Sequence, residues 1–166
     1  MMQILVDGYN VLYAMPEFHS GKIRRDTEAG RKLLGGMLMR YARASGERVT
    51  LVFDGRGRDS KKEWGGGAMS MAFAPDADEY IADAVRASSA PGSVCVVTSD
   101  RELREEIKSL GGKRKGPKSF LREMKESIRE KAAADMDKPG KLTEEEVVEW
   151  LKEFGFLEDG RADEQG

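Results

Sequence analysis

Four aspartates stand at the ends of, or just beyond, four apolar runs, and their type and spacing point to one kind of chemistry. Asp7 closes Ile4-Leu5-Val6-Asp7, and Asp54 closes Val49-Thr50-Leu51-Val52-Phe53-Asp54. Asp78 follows Met69-Ser70-Met71-Ala72-Phe73-Ala74 by way of Pro75-Asp76-Ala77, and Asp100 follows Val94-Cys95-Val96-Val97-Thr98-Ser99. Carboxylates gathered in one place repel one another, and a hard divalent cation such as Mg²⁺ or Mn²⁺ relieves that repulsion. Such an ion lowers the pKa of a coordinated water and neutralises charge developing on a phosphodiester; two ions ~4 Å apart clamp the attacking and leaving oxygens. The set needs no histidine, and the single histidine, His19, falls in a loop outside these runs. Histidine-led acid–base catalysis and serine or cysteine triads therefore lack a partner set. Asn10 offers a neutral oxygen ligand or a hydrogen bond to a phosphate, and Thr98 and Ser99 are placed to orient Asp100 or hold a bound water. Taken singly, each residue has a plainer role. Asp76 and Asp100 are positioned as helix N-caps, and Asp54-Gly55 suits a turn. It is Asp7, Asp78 and Asp100 together that favour a metal site, while Asp54 fits either role.

The elements that must position these residues read as alternating strands and helices. Continuous apolar, partly β-branched runs are the mark of strands buried on both faces, as in a parallel sheet. In an open parallel sheet the ligand crevice lies outside the carboxyl ends of the strands, which is where all four aspartates would converge. The loop after Asp7 contains Pro16 and Gly21. A helix follows over about 24–45, with Leu33, Leu34, Met37, Leu38 and Tyr41 as its apolar stripe, stopped by Gly46. Residues 55–67 read as a polar loop ending in three glycines. A helix over about 76–89 carries Tyr80, Ile81 and Val85, and Pro91-Gly92 turns into the fourth strand. A further helix carries Leu103, Ile107 and Leu110 and closes at Gly111-Gly112. Another, over about 118–134, presents Phe120, Leu121, Met124 and Ile128. Such alternation implies right-handed crossovers and a sheet flanked by helices.

The 166 residues suit one domain, expected over 1–134, with a small appendage. Residues 135–142 read as a linker around Pro139-Gly140. A C-terminal helix is expected over 143–157, where Thr143 and Glu146 form a capping box and Val147, Trp150, Leu151 and Phe154 make an apolar face. A disordered tail is expected over 158–166. Apolar residues make up 39% and charged residues 35%, the net charge is −2, and no apolar run approaches membrane-spanning length. No basic, apolar leader precedes the first strand, so a cytoplasmic protein is expected. The single cysteine, Cys95, lies inside a strand as a small buried hydrophobe, which excludes a disulfide framework or a cysteine zinc site.

Asp7-Gly8-Tyr9-Asn10, Phe53-Asp54-Gly55, Ala77-Asp78 opening a helix with Ile81, and Val97-Thr98-Ser99-Asp100-Arg101 together resemble the YacP-type NYN domain of the PIN-like nuclease superfamily, over roughly residues 1–125. The resemblance implies a three-layer α/β/α fold with a mainly parallel sheet and Mg²⁺- or Mn²⁺-dependent endoribonuclease activity. It places Asp7, Asp78 and Asp100 at the metal positions with Asn10 beside them. Two departures stand out. Ala82 sits where the family often has glutamate, with Asp83 or Glu79 as possible substitutes, and Lys113-Arg114-Lys115-Gly116-Pro117-Lys118 gives little support to the family's next short strand.

Basic residues cluster twice. Arg56, Arg58, Lys61, Lys62 and Trp64 lie in the glycine-rich loop past Asp54, where the charges would hold phosphates and the indole would stack on an unpaired base. Lys113, Arg114, Lys115 and Lys118 form a denser patch, readable as RNA-binding or as a solvated turn. Arg24, Arg25 and Arg31 read as an ordinary helix surface, and Tyr9 as a packed aromatic. The leading expectation is a metal-dependent endoribonuclease acting on single-stranded or unpaired RNA, including mRNA on the ribosome, as a monomer or weak dimer. The competing one is an RNA- or ribosome-binding adaptor that has lost turnover, favoured by Ala82. An aspartyl-nucleophile phosphatase ranks last, because Tyr9 stands where such enzymes carry a second aspartate.

Overall fold

The computed structural model of the chain describes residues 1–16, 28–55 and 63–135, with residues 63–66 as backbone. Arg24, Arg25, Arg56, Arg58, Lys61, Lys62, the Trp64 side chain and the linker, helix and tail expected after Asp135 lie outside the described residues. The described elements are β1 (Gln3–Asp7), α1 (Gly8–Ala14), α2 (Glu28–Ser45), β2 (Arg48–Asp54), β3 (Glu63–Gly66), β4 (Met69–Ala74), α3 (Ala77–Ala87), β5 (Val94–Val97), α4 (Arg101–Ser109), β6 (Lys113–Lys115) and α5 (Pro117–Asp135).

The strands form one sheet in the order β3-β4-β2-β1-β5-β6. β4, β2, β1, β5 and β6 run parallel, and β3 pairs antiparallel with β4. Side chains alternate across the pleat, so the apolar runs feed two cores at once. Ile4, Val6, Val49, Leu51, Phe53, Cys95 and Val97 pack with α1, α2 and α5, whereas Leu5, Val52, Val94 and Val96 pack with α3 and α4. The result is the expected α/β/α layering. Within α2 the buried stripe is centred on Leu34, Leu38, Tyr41 and Ala42, with Leu33 and Met37 packed at its margin. Cys95 is buried as expected, and that burial pushes its thiol above the ordinary value. Among the described residues no helix is long and apolar enough to cross a membrane.

Three expectations require correction. The segment after Asp7 is not irregular: α1 starts at Gly8 directly from β1 and buries Val11 and Leu12. The stretch ending in three glycines contains β3, joined to β4 by a turn in which Gly67 takes φ +65°, a conformation that an L side chain rarely adopts. Glu63-Trp64-Gly65-Gly66 has no apolar alternation, so the pairing depends on β4 rather than on its own pattern. Finally, Lys113–Lys115 is a strand, pairing parallel to β5 with Cys95 opposite Lys113 and Val97 opposite Lys115. An edge strand with one paired side tolerates long cationic side chains, which is why its composition concealed it.

Candidate active site

The chain runs outward from β1 to β2 and β4 on one side, then returns to β5 and β6 on the other. The topological switch therefore lies between the carboxyl ends of β1 and β5, where ligands of open parallel sheets bind. Asp7 ends β1 and Asp54 ends β2, while Asp78 lies in the first turn of α3 and Asp100 caps α4. All four sequence-identified carboxylates thus reach the same edge of the sheet.

Each has a defined local role as well. The Ala77 N–H donates to Asp54 Oδ1 at 2.9 Å, so Asp54 braces the start of α3. Asp76 caps α3 by accepting from the Glu79 N–H at 3.1 Å, and Asp100 caps α4 by accepting from the Leu103 N–H at 3.0 Å. Asp54 is exposed, Asp78 and Asp100 are half-buried, and Asp7 is only 8% exposed. Burial pushes the Asp7 carboxyl up to about 6; the Thr98 hydroxyl opposes the rise, and the like charges of Asp78 and Asp54 add to it. Asp78 is also raised, first by burial and then by Asp100, Asp76, Asp54 and Glu102. A carboxyl held high by burial and by other carboxylates is a place where a cation lowers the energy. Among the described residues no three acidic, histidine or cysteine side chains form a ready-made metal clasp. The donor set nonetheless fits Mg²⁺ or Mn²⁺, because such ions are commonly held by one or two carboxylates and complete their shell with water.

Thr98 joins the two halves of the site. It is wholly buried, its hydroxyl donates to Asp7 Oδ2 at 3.0 Å, and the same oxygen accepts from the Asp100 N–H at 3.1 Å. Its backbone is held on both sides: the N–H donates to the Lys115 carbonyl at 3.1 Å, and Arg104 Nη1 donates to its carbonyl at 2.9 Å. Thr98→Val keeps the shape but strips the donor from Asp7 and the acceptor from Asp100. It is expected to cost about 1–3 kcal/mol in urea unfolding, with Thr98→Ser near wild type. Equal stability of the Val and wild-type proteins would show that the hydroxyl is idle. Asn10 lies one helical turn after Asp7, and its side-chain oxygen accepts from the Ser99 N–H at 2.8 Å and from the Ser99 hydroxyl.

The basic patch does not survive as one surface. Lys115 lies on the α5 side of β6 and forms an ion pair with Glu123, while Arg114, opposite Val96, lies on the other face. Lys113 is exposed at the start of the strand, away from the carboxyl edge, whereas Lys115 ends the strand at that edge but is paired, and Lys118 is exposed in the first turn of α5 just beyond it. Strand alternation divides what looked contiguous in sequence.

Two further features went unread in the sequence. Arg31, expected as plain helix surface, lies over the Phe73 ring at 5.8 Å and donates from Nη1 to the Tyr9 hydroxyl at 3.3 Å. Tyr9 packs on Phe53 with ring centroids 4.9 Å apart, as the packed-aromatic reading held. Gly8 carries the second: a Cβ there would stand 2.3 Å from the Phe53 ring. Its place directly after Asp7 was the available signal; the cause, backbone too close to an aromatic ring for any side chain, belongs to the structure. Ala82 is buried in the core beside α4, so it brings no carboxylate to the edge. Asp83 does not replace one, being exposed and paired with Arg86, and Glu79 is exposed in the first turn of α3.

No curated protein matches the chain in sequence. The solved structures similar to it include two of one protein. The crystal structure of Rae1 (YacP) from Bacillus subtilis is 26% identical, covers 93% of this chain and 95% of its own, and superimposes with a TM-score of 0.64. That of a tryptophan-to-leucine mutant of the same protein is 27% identical, covers 89% and 91%, and gives a TM-score of 0.66. The sequence profile of the YacP-like NYN domain matches residues 4–154, beyond the limit near residue 125 drawn from the motifs. With its aspartates along the carboxyl edge of a mainly parallel sheet, its fold shared with Rae1 and most of its length matched, the chain belongs to the YacP-like NYN domain family.

Proposed function

We propose that this protein is an Mg²⁺- or Mn²⁺-dependent endoribonuclease that hydrolyses phosphodiester bonds in single-stranded or unpaired RNA in the cytoplasm. The observation that carries the reading is Asp7, buried at the switch point with its carboxyl pushed up to about 6 by burial and by Asp78 and Asp54. Its membership of a nuclease-like domain family supports the same reaction class. Asp7, Asp78 and Asp100 would hold the cation, with Asp54 adding negative charge while it braces α3. The bound ion would supply an activated water and neutralise charge on the leaving oxygen. The chain's own residues do the rest. Thr98 fixes the Asp7 carboxylate and the Asp100 backbone relative to each other. Lys118 offers positive charge at the rim for the RNA backbone.

The test is incubation of labelled single-stranded RNA with Mn²⁺, Mg²⁺ or EDTA. Cleavage is expected with either cation and none in EDTA. Asp100→Asn keeps an acceptor for the Leu103 N–H but removes the charge. Since losing a residue that merely supports a metal ligand costs about 10–100-fold, losing this one should cost at least about a hundredfold. Cleavage by Asp100→Asn at the wild-type rate would reject the assignment. A second reading, an RNA-binding adaptor without turnover, is favoured by Ala82 and by the lack of a ready-made clasp among the described residues. RNA binding without cation-dependent cleavage would establish it.

A further inference from the structure

Asn10 lies beside the carboxylates but is not one of them, and its orientation is fixed by an unambiguous partner. The Ser99 backbone N–H at 2.8 Å can only donate, so the Asn10 atom facing it is the oxygen, and the Ser99 hydroxyl donates to that same oxygen. The other end of the carboxamide, an NH₂ group with two donors, is thereby turned away from Ser99. Among the described residues it has no partner. Asn10 is half-buried on the first helix after β1, three residues on from the Asp7 that precedes that helix. A neutral donor pair therefore stands at the edge where the neighbouring side chains are acceptors carrying negative charge.

That arrangement decides between two roles open to an asparagine here. To ligate a cation through its oxygen, Asn10 would have to give up at least one of its two Ser99 bonds, because they occupy both lone pairs. To bind an anionic oxygen it gives up nothing. We propose that Asn10 is a phosphate-binding residue that donates from its side-chain NH₂ to a non-bridging oxygen of the RNA backbone, and that Ser99 is the positioning residue that locks the amide in this orientation. The proposal rests on the ribonuclease reading and adds a division of labour to it. Carboxylates take the cation, and Asn10 takes the phosphate that would otherwise meet only like charge. Donors to phosphate position the substrate without reading its bases, so the contact is indifferent to RNA sequence.

The test uses the full chain, a labelled single-stranded RNA in saturating Ca²⁺, and Mn²⁺ alone as a second probe. Asn10→Ala should weaken RNA binding about tenfold, equivalent to about 1.4 kcal/mol, and leave Mn²⁺ affinity within about twofold. Asn10→Asp, which turns donors into a charged acceptor, should weaken RNA binding more than Asn10→Ala does while tightening Mn²⁺. Ser99→Ala removes the hydroxyl bond but keeps the backbone one, and should fall between wild type and Asn10→Ala for RNA. RNA affinity unchanged in Asn10→Ala, or a joint loss of Mn²⁺ and RNA affinity, would overturn the proposal while leaving the ribonuclease reading intact. A wild-type protein that neither binds RNA in Ca²⁺ nor cleaves it in Mn²⁺ would instead sink that reading.

Discussion

Asp7→Asn should extinguish RNA cleavage and at the same time stabilise the metal-free protein. Loss of activity follows from the position: Asp7 is the most buried of the four carboxylates and the one on which Asp54 and Asp78 both act, so a fall on the order of a thousandfold or more is expected. The gain in stability follows from linkage. The Asp7 carboxyl sits at about 6 in the folded chain against an ordinary 3.8, so the fold favours its protonated form. A raised acid is no burden below pH 4. Its penalty grows as pH climbs from about 4 to about 6 and is complete above that window. A shift of about two units corresponds to roughly 3 kcal/mol at 1.36 kcal/mol per unit, and a neutral asparagine escapes it while still accepting from Thr98. Urea unfolding in EDTA should therefore show the variant more stable than wild type by roughly 2 kcal/mol at pH 7.5, with the gap closing towards pH 4.5. Mn²⁺ should then raise wild-type stability, by about 2.7 kcal/mol at a hundred times its dissociation constant, and leave the variant nearly unmoved. A variant less stable than wild type at pH 7.5 would mean that Asp7 is already compensated in the free protein.

The second large effect is expected at a residue with no functional group. A Cβ at Gly8 would lie 2.3 Å from one Phe53 ring carbon and 2.5 Å from the next, well inside contact distance. Phe53 cannot retreat easily, being wholly buried and packed between the tilted rings of Tyr9 and Phe73 at centroid distances of 4.9 and 5.6 Å. Gly8→Ala should thus cost about 1–3 kcal/mol through overpacking. Because Gly8 follows Asp7 directly, activity should fall as the β1–α1 junction moves. Phe53→Leu in the same chain frees space and should return part of the loss, so the double variant is less destabilised than the sum of the singles. Strict additivity would mean that the strain lies in the backbone and not against the ring.

Much of this molecule is written in local pattern. The apolar runs before Asp7, Asp54, Asp78 and Asp100 gave the four central strands, and the three- and four-residue spacing of Leu34 and Leu38, of Ile81 and Val85, and of Phe120 and Met124 gave helices where they are found. Both caps were legible, because an aspartate just before a helix has an orphan amide within reach. The elements left unread, α1, β3 and β6, are short, glycine-rich or charged, and form only because a neighbour supplies partners. Even the apparent basic patch was a linear impression, divided when β6 turned Lys115 towards Glu123 and Arg114 to the opposite face.

The sequence by itself determined that acidic side chains would meet at one end of a parallel sheet, since side-chain type and period fix which segments become strands and where each strand stops. Only the tertiary structure decided what those groups do to one another: that Asp7 is buried and raised, that one Thr98 hydroxyl serves both Asp7 and Asp100, and that Ser99 turns the Asn10 amide outward. Those outcomes depend on pairing between segments 89 to 91 residues apart, and the distances and burial that set their energies exist only once the strands lie in register.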